Sequence, residues 1–378
     1  MEDEQYEEWM LQSIGLYKDL HDFELQDPTR VIEWIGDNSI CVAGYEGNKR
    51  NEILQLLVPQ KLQTTENPGL CPERDLKVEH GGFVDEPVYS LKHIPQSSFL
   101  VTSGPATCPL RVWKIGPEDR DVIYPVGTIP SENGEDSWSK IATTSLAPPC
   151  VLHGSQANKI HLTEIESSKR VCTLGLYVRD PVSVLSFLDS RTVFLCCKNG
   201  RQYIVDVRQP RSAAEGIVGG EALSDATWCA AVQPWKEEAC SMVACVSSNG
   251  HMILTDTRDF TAPLKRGMWH IPGPSLSDQF LNVCWAPSLV DCISISGYGG
   301  SVDIFDTKCW DLSMQSREPL FTHRGHSVMG ACGNRREPVV TAHTWHPWKE
   351  RTVLSAASDG SLHVWNWSDS QACKKTQL

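Results

Sequence analysis

The chain has 378 residues, 13 tryptophans, 15 cysteines and a formal net charge of −13. That length is ample for one large repeat architecture, and an acidic chain without a basic stripe is a poor candidate for direct nucleic-acid binding. No apolar run approaches the ~18 residues of a membrane span. The opening Met1-Glu2-Asp3-Glu4 has the wrong charge for a secretory leader. With no C-x-x-C pair, the cysteines read as reduced, small apolar residues, so a soluble intracellular protein with no membrane partner is expected.

Residues 1–27 hold nine acids (Glu2, Asp3, Glu4, Glu7, Glu8, Asp19, Asp22, Glu24 and Asp27) against Lys18 alone, and carry −8 of the net charge. Inside this segment, residues 6–20 have helical periodicity. Tyr6, Met10, Ile14 and Tyr17 fall on one stripe, with Trp9 and Leu20 beside it. Gly15 weakens such a helix by about 1 kcal/mol relative to alanine. The spacing predicts a short amphipathic helix that packs on the body of the protein or anchors a partner. Trp9, Met10, Ile14 and Tyr17 are the contact candidates in the second case.

From residue 28 to about 370, short alternating runs follow one another in threes. They occupy Val31–Val58, Val88–Ile115, Ile141–Ile165, Val182–Val207, Thr227–Thr257, Leu281–Thr307 and Val339–Trp367. Gly200, Gly250, Gly300 and Gly360 mark hairpin turns in four of them. Asp359-Gly360, between RTVLSAAS and SLHVWNW, is the clearest. Each unit also needs an outermost strand, read from the weaker linking segments, and Phe23-Glu24-Leu25 can add an N-terminal strand to the last unit. The links Pro59–His80, Gly116–Trp138, Arg208–Ala226, Arg258–Phe280 and Lys308–Pro338 are long. Within the last, an insertion loop over 327–338 carries Arg335 and Arg336, two further contact candidates. Residues 371–378 read as a tail.

The last unit carries Gly325-His326, three strands, an Asp359-Gly360 hairpin and Trp365-Asn366 where a Trp-Asp is usual. It resembles a WD repeat, one blade of a β-propeller. The expected fold is therefore all-β: a seven-bladed WD-repeat propeller preceded by a short helix. In that family a Trp, a Ser or Thr, a His and an Asp form a structural hydrogen-bonded network. Here the matching residues are Trp365, Ser355, His326 and Asp359, with a degraded counterpart at His80, Ser103 and Trp113. No nucleophile elbow accompanies Ser355, so a catalytic triad is not expected. His343-x-x-His346 points its rings to opposite faces of a strand, which does not suit one metal ion. No cofactor, metal or phosphate-cradling motif is expected.

A narrower resemblance runs through Trp9–Leu20, VAGYEGNKRNEIL (42–54), KVEHGGF (77–83), LVTSG (100–104), LAPPCVLHG (146–154), PLFTHRGH (319–326) and TAHTWHP (341–347). Together these stretches are similar to one vertebrate family of WD-repeat scaffold proteins. The resemblance implies a non-enzymatic assembly factor that binds the endonuclease subunits of the Integrator RNA-processing complex, with their assembly factors, in the cytoplasm. It also implies a role in microtubule organisation and cell division, at the cytoskeleton, spindle and spindle poles. The alternative comes from two consecutive blade ends, Asp206-Val207-Arg208 and Asp256-Thr257-Arg258. They resemble the Asp-x-Arg ending of cullin–RING ubiquitin-ligase substrate receptors, which would give Arg208 and Arg258 an adaptor-docking role.

Overall fold

The computed structural model describes residues 9, 11, 15–59, 75–117, 120–132, 137–144, 148–217, 226–234, 242–271, 278–329 and 337–368. Strand β1 (Tyr17–Glu24) comes first and belongs to the last blade. Blade one is β2 (Thr29–Trp34), β3 (Ser39–Gly44), β4 (Asn51–Leu57) and β5 (Lys77–Val84). Blade two is β6 (Ser90–His93), β7 (Phe99–Ser103), β8 (Leu110–Ile115) and β9 (Ile123–Ile129). Blade three is β10 (Lys140–Thr144), β11 (Cys150–Gly154), β12 (His161–Glu164) and β13 (Arg170–Thr173). Blade four is β14 (Val182–Phe187), β15 (Thr192–Cys197), β16 (Arg201–Asp206) and β17 (Ala213–Ile217). Blade five is β18 (Trp228–Val232), β19 (Met242–Ser247), β20 (His251–Asp256) and β21 (Asp259–Met268). Blade six is β22 (Asn282–Trp285), β23 (Cys292–Ser296), β24 (Val302–Asp306) and β25 (Phe321–His323). Blade seven pairs β26 (Val340–Trp345), β27 (Thr352–Ala357) and β28 (Ser361–Trp367) with β1 on its outer edge. The protein is thus an all-β, seven-bladed propeller.

The apolar core divides in the same way. Seven clusters of buried side chains lie one between each pair of neighbouring blades. Strands alternate in the side they present, so each blade feeds both its neighbours. In β27, Val353 packs toward blade six and Leu354 toward blade one. The ring closes because blade seven is built from both chain ends. Seven residues of β1 register with β28, from Tyr17 opposite Trp367 to Glu24 opposite Ser361. Leu16, Tyr17 and Leu20 pack on the six–seven cluster, and Phe23 and Leu25 on the seven–one cluster.

This pairing corrects the helix expected over residues 6–20. Tyr17 to Leu20 are strand, and the structure supports no helix of that extent. Tertiary context decides: without β1, the outer edge of β28 leaves its N–H and C=O groups unpaired. That gain outweighs the local helical periodicity, and an irregularity in the register between Tyr17 and Asp19 lets Tyr17 and Leu20, three residues apart, pack on the same cluster. Met10 and Ile14 lie outside the described residues. Trp9 is half-buried, with its ring 6.5 Å from that of Tyr17.

The long links hold outermost strands, as expected: β5 begins at the end of one, and β9, β17, β21 and β25 lie inside the other four. Turn chemistry follows the sequence in three hairpins, where Gly200, Gly250 and Gly360 take φ of 84°, 83° and 94°. In blade six Gly297, at 101°, takes that conformation instead of Gly300. A Cβ at Gly250 would sit 2.2 Å from the Trp269 carbonyl oxygen, so the turn needs glycine twice over.

Removing residues 1–24 deletes β1 and strips one wall from two of the seven interfaces. The truncated chain is expected to lose its cooperative thermal transition or to melt far below the full chain. An unchanged Tm would show that the ring closes without β1.

Candidate functional site: the buried network of the last blade

The face of β28 that carries Ser361, His363, Trp365 and Trp367 is turned toward blade six, because every second residue of SLHVWNW shares one side of the sheet. The indole N–H of Trp365 can only donate, and it donates to Ser355 Oγ over 3.1 Å. The Ser355 hydroxyl therefore donates to His326 Nε2, 2.9 Å away. His326 Nδ1–H then donates to Ser361 Oγ at 2.7 Å, and Ser361 donates to Asp359 Oδ1 at 2.7 Å. The directions are assigned from donor logic along the chain. Trp365, Ser355, His326 and Asp359 thus belong to one chain of hydrogen bonds, with Ser361 standing between the imidazole and the carboxylate. Ser355, His326 and Trp365 are each 0% exposed. A hydroxyl sealed between an indole and an imidazole has no path to a substrate, so the Ser-His-Asp grouping does not act as a nucleophilic triad.

A second chain lies against the first. Tyr17 from β1 bonds His323 Nδ1 at 2.8 Å, His323 Nε2 meets His363 Nδ1 at 3.0 Å, and His363 Nε2 lies 3.1 Å from Asp22 Oδ1. Burial pushes the Tyr17 phenol well above its usual range, so it stays the proton donor. His323 and His326 are held well below the ordinary histidine range, first by burial and then by neighbouring histidines. The rings of His326 and His363 stack at 3.8 Å and 8°, and His323 stacks on Trp365 at 4.5 Å and 14°. Tyr17 is therefore part of this core, not an exposed anchor for a partner.

Sequence reasoning missed this second chain, and it brings three histidines together. Nitrogens of His323, His326 and His363 lie within 4.8 Å of one another. They do not form a chelate in this arrangement. Imidazole lone pairs lie in the ring plane, and a zinc ion sits about 2.0–2.1 Å from each nitrogen. Two parallel rings 3.8 Å apart aim into separate planes. The available signal was the alternation of Ser361, His363 and Trp365 on one face.

The other expected residues fall elsewhere. His343 accepts and donates across the blade six–seven boundary to Ser294 Oγ (2.8 Å) and Ser296 Oγ (2.7 Å). His346 Nδ1 accepts the Trp348 and Lys349 backbone N–H groups and closes the β26–β27 turn. Burial lowers both to about 4. In blade two, Trp113 Nε1 donates to Thr102 Oγ1 (2.9 Å), not to Ser103. Leu100 faces Trp113 across the ladder, and Thr102 is two residues on, so it shares that side while Ser103 does not. Ser103 instead bonds the Ser139 carbonyl, and neither His80 ring nitrogen has a partner among the described residues. Arg208 and Arg258 each fold back on the aspartate two residues before them. The guanidinium of Arg208 lies 2.5 Å from Asp206 and that of Arg258 2.7 Å from Asp256. Both side chains are well exposed, yet this pairing gives the Asp-x-Arg ending a local structural role. Arg335 and Arg336 lie outside the described residues.

Two outcomes follow. Ser361→Ala and Ser355→Ala each leave a buried imidazole nitrogen without its partner, at a cost of about 1–3 kcal/mol. Trp365→Ala costs roughly 3–5 kcal/mol, read by urea denaturation. Histidines held neutral in the fold bind protons more readily once unfolded. Their contribution is complete above the unfolded value of about 6.5 and is lost as pH falls toward about 4. Tm is expected to drop between pH 6.5 and 5, before most carboxylates titrate. A flat Tm over that window contradicts the assignment.

No protein-family model matches the chain. It is 69% identical over 369 residues to a Xenopus laevis protein named "Integrator complex assembly factor WDR73", covering 98% of this chain and 100% of that one. Mouse and human proteins of the same name are 42% and 41% identical, over 97% and 96% of this chain and 99% and 98% of theirs. With identity at that level along nearly the whole length, the chain belongs to the WDR73 family.

Proposed function

We propose that this chain is a non-enzymatic assembly factor that binds and stabilises the endonuclease subunits of the Integrator complex in the cytoplasm. The observation that carries the reading is the name shared by relatives that match it from end to end. The structure is consistent with it. The propeller is a closed ring, and the serine and histidine of its catalytic-looking Ser355-His326-Asp359 grouping are buried and committed to hydrogen bonds. The roles in microtubule organisation and cell division, at the spindle and its poles, belong to the same proposal and rest on the resemblance alone. The ligase-adaptor reading is not carried further, because Arg208 and Arg258 have local partners.

Co-expression tests the proposal. The endonuclease subunits are produced with and without this chain and resolved by size exclusion. Higher soluble yield and co-elution are expected; independent elution with equal yield contradicts the reading. Replacing residues 330–336 with a Gly-Ser linker tests the insertion loop. Lower recovery of the subunits by a variant of unchanged Tm is the expected result. Unchanged recovery removes Arg335 and Arg336 as contacts.

A further inference from the structure

The inner strands of the blades line a central channel, and the residues that begin them form its mouth on one face. Arg30 begins this lining from β2, Trp138 and Lys140 from the start of β10, and Phe280 just before β22. Lys198 joins from the end of β15, which lies beside the start of β14. The cavity beneath is about 460 Å³. Arg30 is boxed by three rings, with its Cζ 4.9 Å from the Tyr89 centroid, 5.3 Å from Trp138 and 5.2 Å from Phe280. Its Nη2 donates to the Gln279 carbonyl at 3.0 Å. Lys140 Nζ sits 3.1 Å from the Trp138 ring centroid.

These cations are not neutralised among the described residues. The carboxylate that lines the channel, Glu33, is taken by Lys92 at 2.7 Å. Neither Arg30, Lys140 nor Lys198 has a described ion pair. Burial, then Arg30 and Lys198, hold the Lys140 ammonium well below its usual range. Like charges crowded into a low-dielectric recess are destabilising by themselves, and an anion entering there relieves the repulsion. In a chain of net charge −13, a cationic recess flanked by aromatic rings is the exception.

We propose that the channel mouth around Arg30, Lys140 and Lys198 binds an acidic peptide segment of a protein partner. The Asp or Glu carboxylates would meet the three cations, and apolar neighbours of the segment would rest on Tyr89, Trp138 and Phe280. The chain's own acidic N-terminus is badly placed for this role. Glu24 ends β1 beside the Asp359-Gly360 turn, on the face where β2 begins, because Leu25 N–H donates to the Gly360 carbonyl over 2.9 Å. Tyr17 starts β1 at the far end of the blade, about 25 Å away for eight extended residues. A long nucleic acid is disfavoured because the overall acidity repels a polyanion. The partner being a protein rests on the assembly-factor reading. The test below uses no Integrator subunit, so the two can fail separately.

A displayed library of random dodecapeptides is selected against the full chain, and the best peptide is measured by fluorescence anisotropy. Enrichment of Asp and Glu is expected. Lys140→Gln and Arg30→Gln should each weaken binding about tenfold or more, since each removes a charge partner in a desolvated site. Lys308→Gln, at an exposed position away from the mouth, should leave it unchanged. Lys140→Met stands in for Lys140→Gln, and Arg30→Met for Arg30→Gln, where either fails to fold as judged by Tm. Selection without acidic enrichment, or acidic peptides whose affinity is indifferent to Lys140→Gln and Lys140→Met, overturns the proposal. A single-stranded oligonucleotide of equal charge that binds as tightly through Lys140 also overturns it, by showing a general polyanion site.

Discussion

Antiparallel pairing of β1 with β28 is the constraint on which the ring depends. A blade has an outer edge and two faces, and only closure covers the faces of the first and last blades. Here closure is made by an eight-residue strand from the N-terminus, held to the last strand of the chain by seven register pairs. Its side chains join both clusters that flank blade seven. Folding of the ring therefore waits on contacts between residues more than 300 apart, such as Tyr17 with His323. Contacts of such range are the slow kind.

Blade seven also carries a buried polar core. Two hydrogen-bonded chains run side by side, one from Trp365 to Asp359 and one from Tyr17 to His363, whose Nε2 lies 3.1 Å from Asp22 Oδ1. The rings of His326 and His363 stack one on the other between them. Buried polar groups of this kind depend on their partners. The closing strand supplies Tyr17, so mispairing β1 by one residue would turn its hydroxyl to the other face and orphan His323 Nδ1. The network thereby favours one register of closure. The residues that look catalytic in the sequence tie the loop at His326 to the hairpin of the same blade.

Much of this was legible in the sequence, and the failures have physical causes. Alternating runs and turn glycines located the three inner strands of each blade, because those strands are buried and their patterns strict. The outer strands were poorly marked. β9, for example, is exposed over five of its seven residues, so little in IYPVGTI betrays a strand. The N-terminal segment was read as a helix over 6–20 because Tyr6, Met10, Ile14 and Tyr17 fit a helical stripe, with a closing strand only at Phe23-Glu24-Leu25; pairing along the edge of β28 extends that strand back to Tyr17. Trp365, Ser355, His326 and Asp359 came from a family pattern. Ser361, His363, His323 and Asp22 did not, since they depend on stacking across elements far apart in the chain. The cationic mouth was illegible for the same reason: Arg30, Lys140 and Lys198 come from three different blades.

The proposal that the channel mouth of the closed propeller seats a protein partner can be tested on the whole molecule. Hydrogen–deuterium exchange of the full chain, with and without the Integrator endonuclease subunits, tests it most directly. Slowed exchange is predicted for peptides covering residues 29–34, 137–144 and 197–203 at the channel mouth, with β28 unchanged. No slowing anywhere in the chain would contradict the assembly-factor reading. Slowing confined to the rim or the opposite face would keep a partner and remove the mouth as its seat.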